Sequence, residues 1–89
     1  MSMNVIINPY RARKFRDRVF ASLSYHMRHR NPNGAREVLE IPKFQTEAGG
    51  KDQLVILIRS ICVERIKHDA HKMEPRDRER WASWGMGLL

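Results

Sequence analysis

The sequence predicts an α+β fold, because it combines short apolar runs of strand length with longer stretches of helical periodicity. Residues 5–7 and 54–58 are uninterrupted β-branched or aliphatic runs, whereas the apolar residues of 9–30 recur every three or four positions. We expect the order β-α-β-β-α followed by a short C-terminal helix, with an antiparallel sheet covered by helices on one face. An all-α three-helix bundle is the alternative.

The first strand and the first helix are expected to meet at Asn8 and Pro9. Asn is a favoured N-cap residue and Pro is favoured at the first helical position. The helix then carries one apolar stripe along its length, formed by Ala12, Phe15, Val19, Leu23 and Met27. It should end near 31–34, because Pro32 disfavours helical geometry in the residue before it and Gly34 accepts a turn conformation.

The middle of the chain is interpreted as a hairpin. Residues 37–44 form a short strand, placed at an edge or bulged because Pro42 interrupts it, and residues 45–52 form a polar loop around Gly49 and Gly50. A single helix over 52–72 would carry two apolar stripes rotated by more than a quarter turn. We therefore expect a strand at 54–58 and a second helix capped by Ser60, with one wholly buried helix as the alternative.

The end of the chain predicts a short helix over 76–84, opened by Glu74 and Pro75 and terminated by Gly85. Trp81 and Trp84 are three residues apart and so share one side of that helix. Packing in the core is their expected role. Exposed instead, they would form an anchor for a protein partner, because Trp is enriched at binding hot spots.

Length and composition predict one domain over 1–89, since 89 residues are too few for two cores. The single Cys62 excludes an intrachain disulfide and fits a reducing compartment. The longest apolar run is too short to cross a bilayer, and the first residues lack the pattern of a signal peptide. We expect a soluble, cytoplasmic protein with no membrane partner and no cofactor.

The formal net charge of +7 is concentrated in one segment. Residues 1–36 contain eight Lys or Arg and one Asp, whereas residues 37–89 contain nine cations and nine carboxylates. Focused charge of one sign attracts phosphates and other anions more effectively than an even distribution does. The charge pattern therefore predicts a polyanionic or acidic partner.

A row of cations follows the side of the first helix that lies away from the apolar stripe. Its members, which we call the cationic face, are Arg11, Lys14, Arg18, Tyr25, Arg28 and His29. Neighbours three or four residues apart lie about 5–6 Å from each other, guanidinium groups bind phosphate through two parallel donors, and an aromatic ring can stack on a base. These features predict a small basic nucleic-acid-binding protein of a regulatory type.

A protein partner is the alternative to nucleic acid. The same face would suit a phage-type modulator or inhibitor that binds an acidic or nucleic-acid-binding site on a larger host complex, or a component of a larger particle.

The histidines and the catalytic inventory predict neither a metal site nor an enzyme. His26 and His29, and again His68 and His71, repeat a spacing of three near expected helix C-termini, where the helix dipole favours cations. The sequence has no glycine-rich phosphate loop and no Cys beside a His. Metal-independent RNA cleavage is the one exception, for which Tyr25, His26, Arg28 and His29 would supply acid-base groups.

Overall fold

The computed structural model describes residues 8–87, and these residues form helices joined by short turns. Helix α1 spans Pro9–Arg28, α2 spans Gly34–Leu39, α3 spans Pro42–Ala48, α4 spans Lys51–Asp69 and α5 spans Pro75–Met86, with a 3₁₀ turn at Ala70–Lys72. No strand occurs within residues 8–87. The predicted α+β fold with its antiparallel sheet is therefore wrong, and the all-α alternative is the fitting one. The strand expected at 5–7 lies outside the described residues.

Helix α1 confirms the expected start and the expected stripe from Phe15 to Met27, whereas Ala12 is exposed and the helix ends at Arg28, before the expected stop near 31–34. The Asn8 side chain accepts hydrogen bonds from the backbone N–H groups of Tyr10 and Arg11, at 3.0 and 3.3 Å, and Pro9 occupies the first helical position. These contacts satisfy backbone donors that have no partner inside the helix. The core-facing side chains of α1 are Phe15, Val19 and Leu23, all buried.

The segment 37–44, predicted as a strand, belongs to helices α2 and α3. Its apolar residues continue an i, i+3, i+4 pattern that begins at Ala35, and Ala35, Val38 and Leu39 are all buried. Pro42 opens α3 at the first helical position instead of interrupting a strand. Gly49 ends α3 in the left-handed region with φ 93°, so the expected hairpin loop is a tight link between two helices.

Helix α4 runs without a break through Ser60, so neither the strand at 54–58 nor the cap at Ser60 is correct. It contacts each of the other four helices. Its buried residues share one side of the helix: Leu54, Val55, Ile58, Ile61 and Cys62. The second stripe expected from the sequence is not a buried side, because Val63 is exposed and Met73 lies beyond the end of the helix. The helix is not wholly buried either, since Ile56 is 60% and Val63 is 50% exposed.

Helix α5 packs along α4 and closes the core. It continues past the predicted stop at Gly85, which is buried inside the helix, and ends at Met86. A Cβ atom on Gly85 would lie 3.3 Å from the Cβ of Cys62, so this glycine permits close approach of α4 and α5. Gly34 has the same role where α2 meets α1, because its added Cβ would lie 2.3 Å from the Cβ of His26.

Candidate nucleic-acid interface

The cationic face lies on the side of α1 that the core leaves free. Phe15, Val19 and Leu23 occupy the opposite side and are buried among the other helices. All six predicted members of the face are exposed: Arg11, Lys14, Arg18, Tyr25, Arg28 and His29. The face is thus one exposed strip along a rigid helix of 20 residues, which at about 1.5 Å per residue is about 30 Å long.

The cations of this segment are almost without internal counter-charges. Of the eight Lys and Arg in 1–36, Arg18 alone has a carboxylate within 4.0 Å among residues 8–87, namely Glu47 on α3. Arg16 donates a hydrogen bond to the neutral hydroxyl of Ser60 at 3.3 Å. The positive charge predicted from the sequence is therefore presented to solvent and is not cancelled by the protein's own carboxylates.

An exposed aromatic ring lies at the N-terminal end of the face. Tyr10 is 62% exposed, and the ammonium of Lys14 lies 5.3 Å from the centre of its ring. Sequence analysis did not single out Tyr10, although its i, i+4 spacing to Lys14 places the two on one side of the helix. Within about one helical turn, the Tyr10 ring is therefore available to stack on a ligand ring and the Lys14 ammonium to bind an anion.

A second aromatic platform lies at the C-terminal end of the face. The rings of Tyr25 and His29 stack with their centroids 4.1 Å apart and their planes at 23°. The Nδ1 atom of His29 lies 3.0 Å from the carbonyl oxygen of Tyr25, which holds the imidazole in place. Tyr25 is 51% exposed, so the outer surface of the pair is open to a ligand.

Known proteins do not assign a role to this face. Comparisons with protein-family models, curated sequences and solved structures give no match. Within residues 8–87, none of the helices meets the length and hydropathy that a bilayer-spanning segment requires.

A groove continues the cationic face towards α5, and we call it the α1–α5 groove. It is open to solvent and has a volume of about 610 Å³. Apolar side chains from α1, from the link before α5 and from the middle of α5 line it, and Arg28 and Lys72 lie at its margin; the apolar members are Phe20, Met27, Met73 and Trp81. Sequence analysis missed this groove, because no local pattern connects residues that are about 50 positions apart.

The two tryptophans belong to the core. Trp81 is 3% and Trp84 is 4% exposed, and their rings meet edge to face at 5.4 Å. The indole N–H of Trp84 donates to the carbonyl oxygen of Pro32 at 3.2 Å, and Trp81 stacks on Phe20. The expected packing role is confirmed, and the alternative of an exposed protein anchor does not apply to side chains buried in this way.

The histidines lie near helix ends as predicted, with His26 in the last turn of α1 and His68 in the last turn of α4. His26 is within hydrogen-bond distance of the Asn31 side chain, and His68 lies 3.3 Å from Glu64. Within residues 8–87, no three His, Cys, Asp or Glu side chains are grouped to hold a metal ion.

Cys62 is the one thiol of the sequence, and it lies in the core. Burial raises the pKa of its thiol from 9.0 to about 12, because a thiolate would lose its hydration there. Since the thiolate is the nucleophilic form, the side chain is inert at neutral pH and acts as a small apolar residue.

Proposed function

We propose that this chain is a small basic nucleic-acid-binding protein of a regulatory type, which holds phosphates on the cationic face of α1. The supporting observation is the contrast in ion pairing between the two parts of the chain. Four of the nine cations in 37–87 are paired with the protein's own carboxylates, against one of eight in the first 36 residues. The unpaired cations of the face, Arg11 and Lys14 at one end of α1 and Arg28 at the other, are available to an external polyanion.

The proposed contacts follow from the side chains of α1. Arg11 and Lys14 are three residues apart and bind neighbouring phosphates at the N-terminal end, and Arg28 does so at the other end. The stacked rings of Tyr25 and His29 offer a surface to a base. Binding requires no chemical step, so the proposal includes no enzymatic activity. It places the protein in the cytoplasm, where a lone buried thiol stays reduced.

An acidic protein surface is the second candidate partner, as for a phage-type modulator of a larger complex. The observation that favours it is again the exposed, unpaired charge of Arg11, Lys14 and Arg28, because guanidinium and ammonium groups bind carboxylates as well as phosphates. Ile56 and Val63 are exposed on one side of α4, but such exposed apolar residues are common and carry no argument for a partner. A capture experiment with and without nuclease separates the candidates, since nuclease abolishes capture of nucleic-acid complexes only.

Charge removal on α1 tests the proposed function. The variant is Arg11→Ala/Lys14→Ala, and the matched control is Lys51→Ala/Lys67→Ala, which removes two cations that already have carboxylate partners, Glu40 and Glu64. Affinities for single-stranded DNA, single-stranded RNA and duplex DNA are measured between about 50 and about 200 mM salt. We expect the slope of log affinity against log salt to fall by about 1.5 in the α1 variant, because two phosphate contacts are lost.

The control should retain the slope of the unmodified protein. Equal losses in the two double variants would show that only net charge matters and would contradict a binding face on α1. Absence of binding to all three nucleic acids at about 50 mM salt, where phosphate contacts are strong, would remove the proposed function altogether.

A further inference from the structure

The α1–α5 groove has an apolar floor that remains partly open. Phe20, Met27 and Met73 are each half-buried at its surface, and Trp81 lies beneath them, stacked on Phe20 at 6.1 Å. Thioethers adapt their shape and make favourable contacts with aromatic rings. The floor therefore suits a flat, aromatic ligand group.

The margin of the groove is positively charged and joins the cationic face. Arg28 belongs to both surfaces, and Lys72 lies at the groove from the 3₁₀ turn. Neither has an ion-pair partner within 4.0 Å among residues 8–87. The guanidinium of Arg65, by contrast, lies over the ring of Phe20 and forms an ion pair with Asp69, so its charge is compensated within the protein.

Two carboxylates at the groove decide which part of a nucleotide fits where. Glu74 is paired with Arg76 at 3.6 Å, whereas Asp77 has no ion-pair partner within 4.0 Å in the described part of the chain. A carboxylate repels phosphate but accepts hydrogen bonds from the amino group of a base. A base in the groove can donate a hydrogen bond to a carboxylate there, and its phosphates can bind the cations Arg28 and Lys72.

We propose that the α1–α5 groove binds an unpaired base of single-stranded nucleic acid, whose flanking phosphates lie on Arg28 and Lys72. This inference rests on the proposed function, and it adds the class of nucleic acid and a second binding element. A duplex keeps its bases stacked inside, so it can reach the cationic face but not the groove floor. An unpaired base presents an aromatic face that packs against the thioethers of Met27 and Met73 at the surface of the floor.

The test fills the groove without changing any charge. Ser24 on α1 lines the groove, and Ser24→Phe places a ring in it. The matched control is Ser83→Phe, at an exposed serine of α5 that does not line the groove. Affinities are measured for a single-stranded DNA, a single-stranded RNA of the same sequence, and the corresponding duplex DNA. Far-UV circular dichroism and thermal unfolding verify that each variant is folded.

We expect Ser24→Phe to weaken binding of both single strands about tenfold, which is the typical effect of losing one stacked base. Duplex binding should be unchanged, and Ser83→Phe should bind all three nucleic acids as the unmodified protein does. Unchanged single-strand binding in folded Ser24→Phe, or an equal loss for single strands and duplex, would overturn the inference while the proposed function stands. Failure of the unmodified protein to bind any nucleic acid would instead remove both.

Discussion

At the scale of single residues, one ion pair distinguishes the members of the cationic face. Arg18 is bound to Glu47 and its guanidinium lies 5.4 Å from the centre of the Phe15 ring, so it ties α1 to α3. Such partly exposed pairs contribute little to stability. Arg11 and Lys14 have no carboxylate partner among residues 8–87 and point their charge at solvent. Residue type alone does not reveal this difference, which depends on where α3 lies.

The buried thiol of Cys62 predicts a loss of stability at alkaline pH. The unfolded thiol ionises near pH 9, whereas the folded thiol keeps its proton up to a pKa of about 12. A raised folded-state pKa contributes stability that is complete below the unfolded pKa and is lost as the pH rises through the folded value. The free energy of unfolding should therefore fall between pH 9 and 12 by up to about 1.4 kcal/mol per pH unit from this group.

Urea unfolding of the protein and of Cys62→Ala at several pH values between 8 and about 10.5 measures this contribution, because the two proteins differ in no other ionisable group. The difference in unfolding free energy between the two proteins should narrow as the pH rises. A constant difference across the range would show that the thiol ionises equally easily in the folded state.

At the scale of helices, the sequence predicts α1 well because the residues that define this helix are close together in the sequence. Asn8 and Pro9 start the helix, and the apolar residues from Phe15 to Met27 recur at four-residue steps and pack against the core. The short helices α2 and α3 were missed because six or seven residues carry too little periodicity, and Pro42 marks a helix start as readily as a strand interruption. Helix α4 was divided because apolar residues occur on more than one of its sides, although only one side is buried and Ile56 and Val63 are exposed.

A serine substitution tests whether α4 is continuous. Ser60 is exposed in the middle of the helix, so Ser60→Ala should leave the unfolding free energy unchanged or raise it by up to about 0.5 kcal/mol. The hydrogen bond from Arg16 is exposed and its loss costs little. A matched control is Asn8→Ala, which removes an N-cap with two backbone hydrogen bonds and should cost about 1 kcal/mol. Urea unfolding measures both, and a loss of about 1 kcal/mol at Ser60 would indicate a cap there after all.

At the scale of the whole molecule, the fold leaves the cationic face of α1 in solvent and buries the apolar side chains between the helices. Helix α4 contacts all other helices, α5 closes the core with two tryptophans, and α1 leaves one full side to solvent. The six residues of the cationic face were predictable, since an amphipathic helix fixes its own outward side. The α1–α5 groove was not, because it brings Phe20 and Met27 together with Met73 and Asp77, and tertiary packing alone creates that proximity.

Amide chemical-shift mapping with a single-stranded oligonucleotide at low salt tests the binding face most directly. We expect the largest shifts at Arg11, Lys14, Tyr25 and Arg28 and at the start of α5, and we expect a higher salt concentration to reverse them. The amides around Ile56 and Val63, on the outer side of α4, should not change. Shifts centred on that apolar pair, or spread evenly over residues 8–87, would contradict a nucleic-acid-binding face on α1.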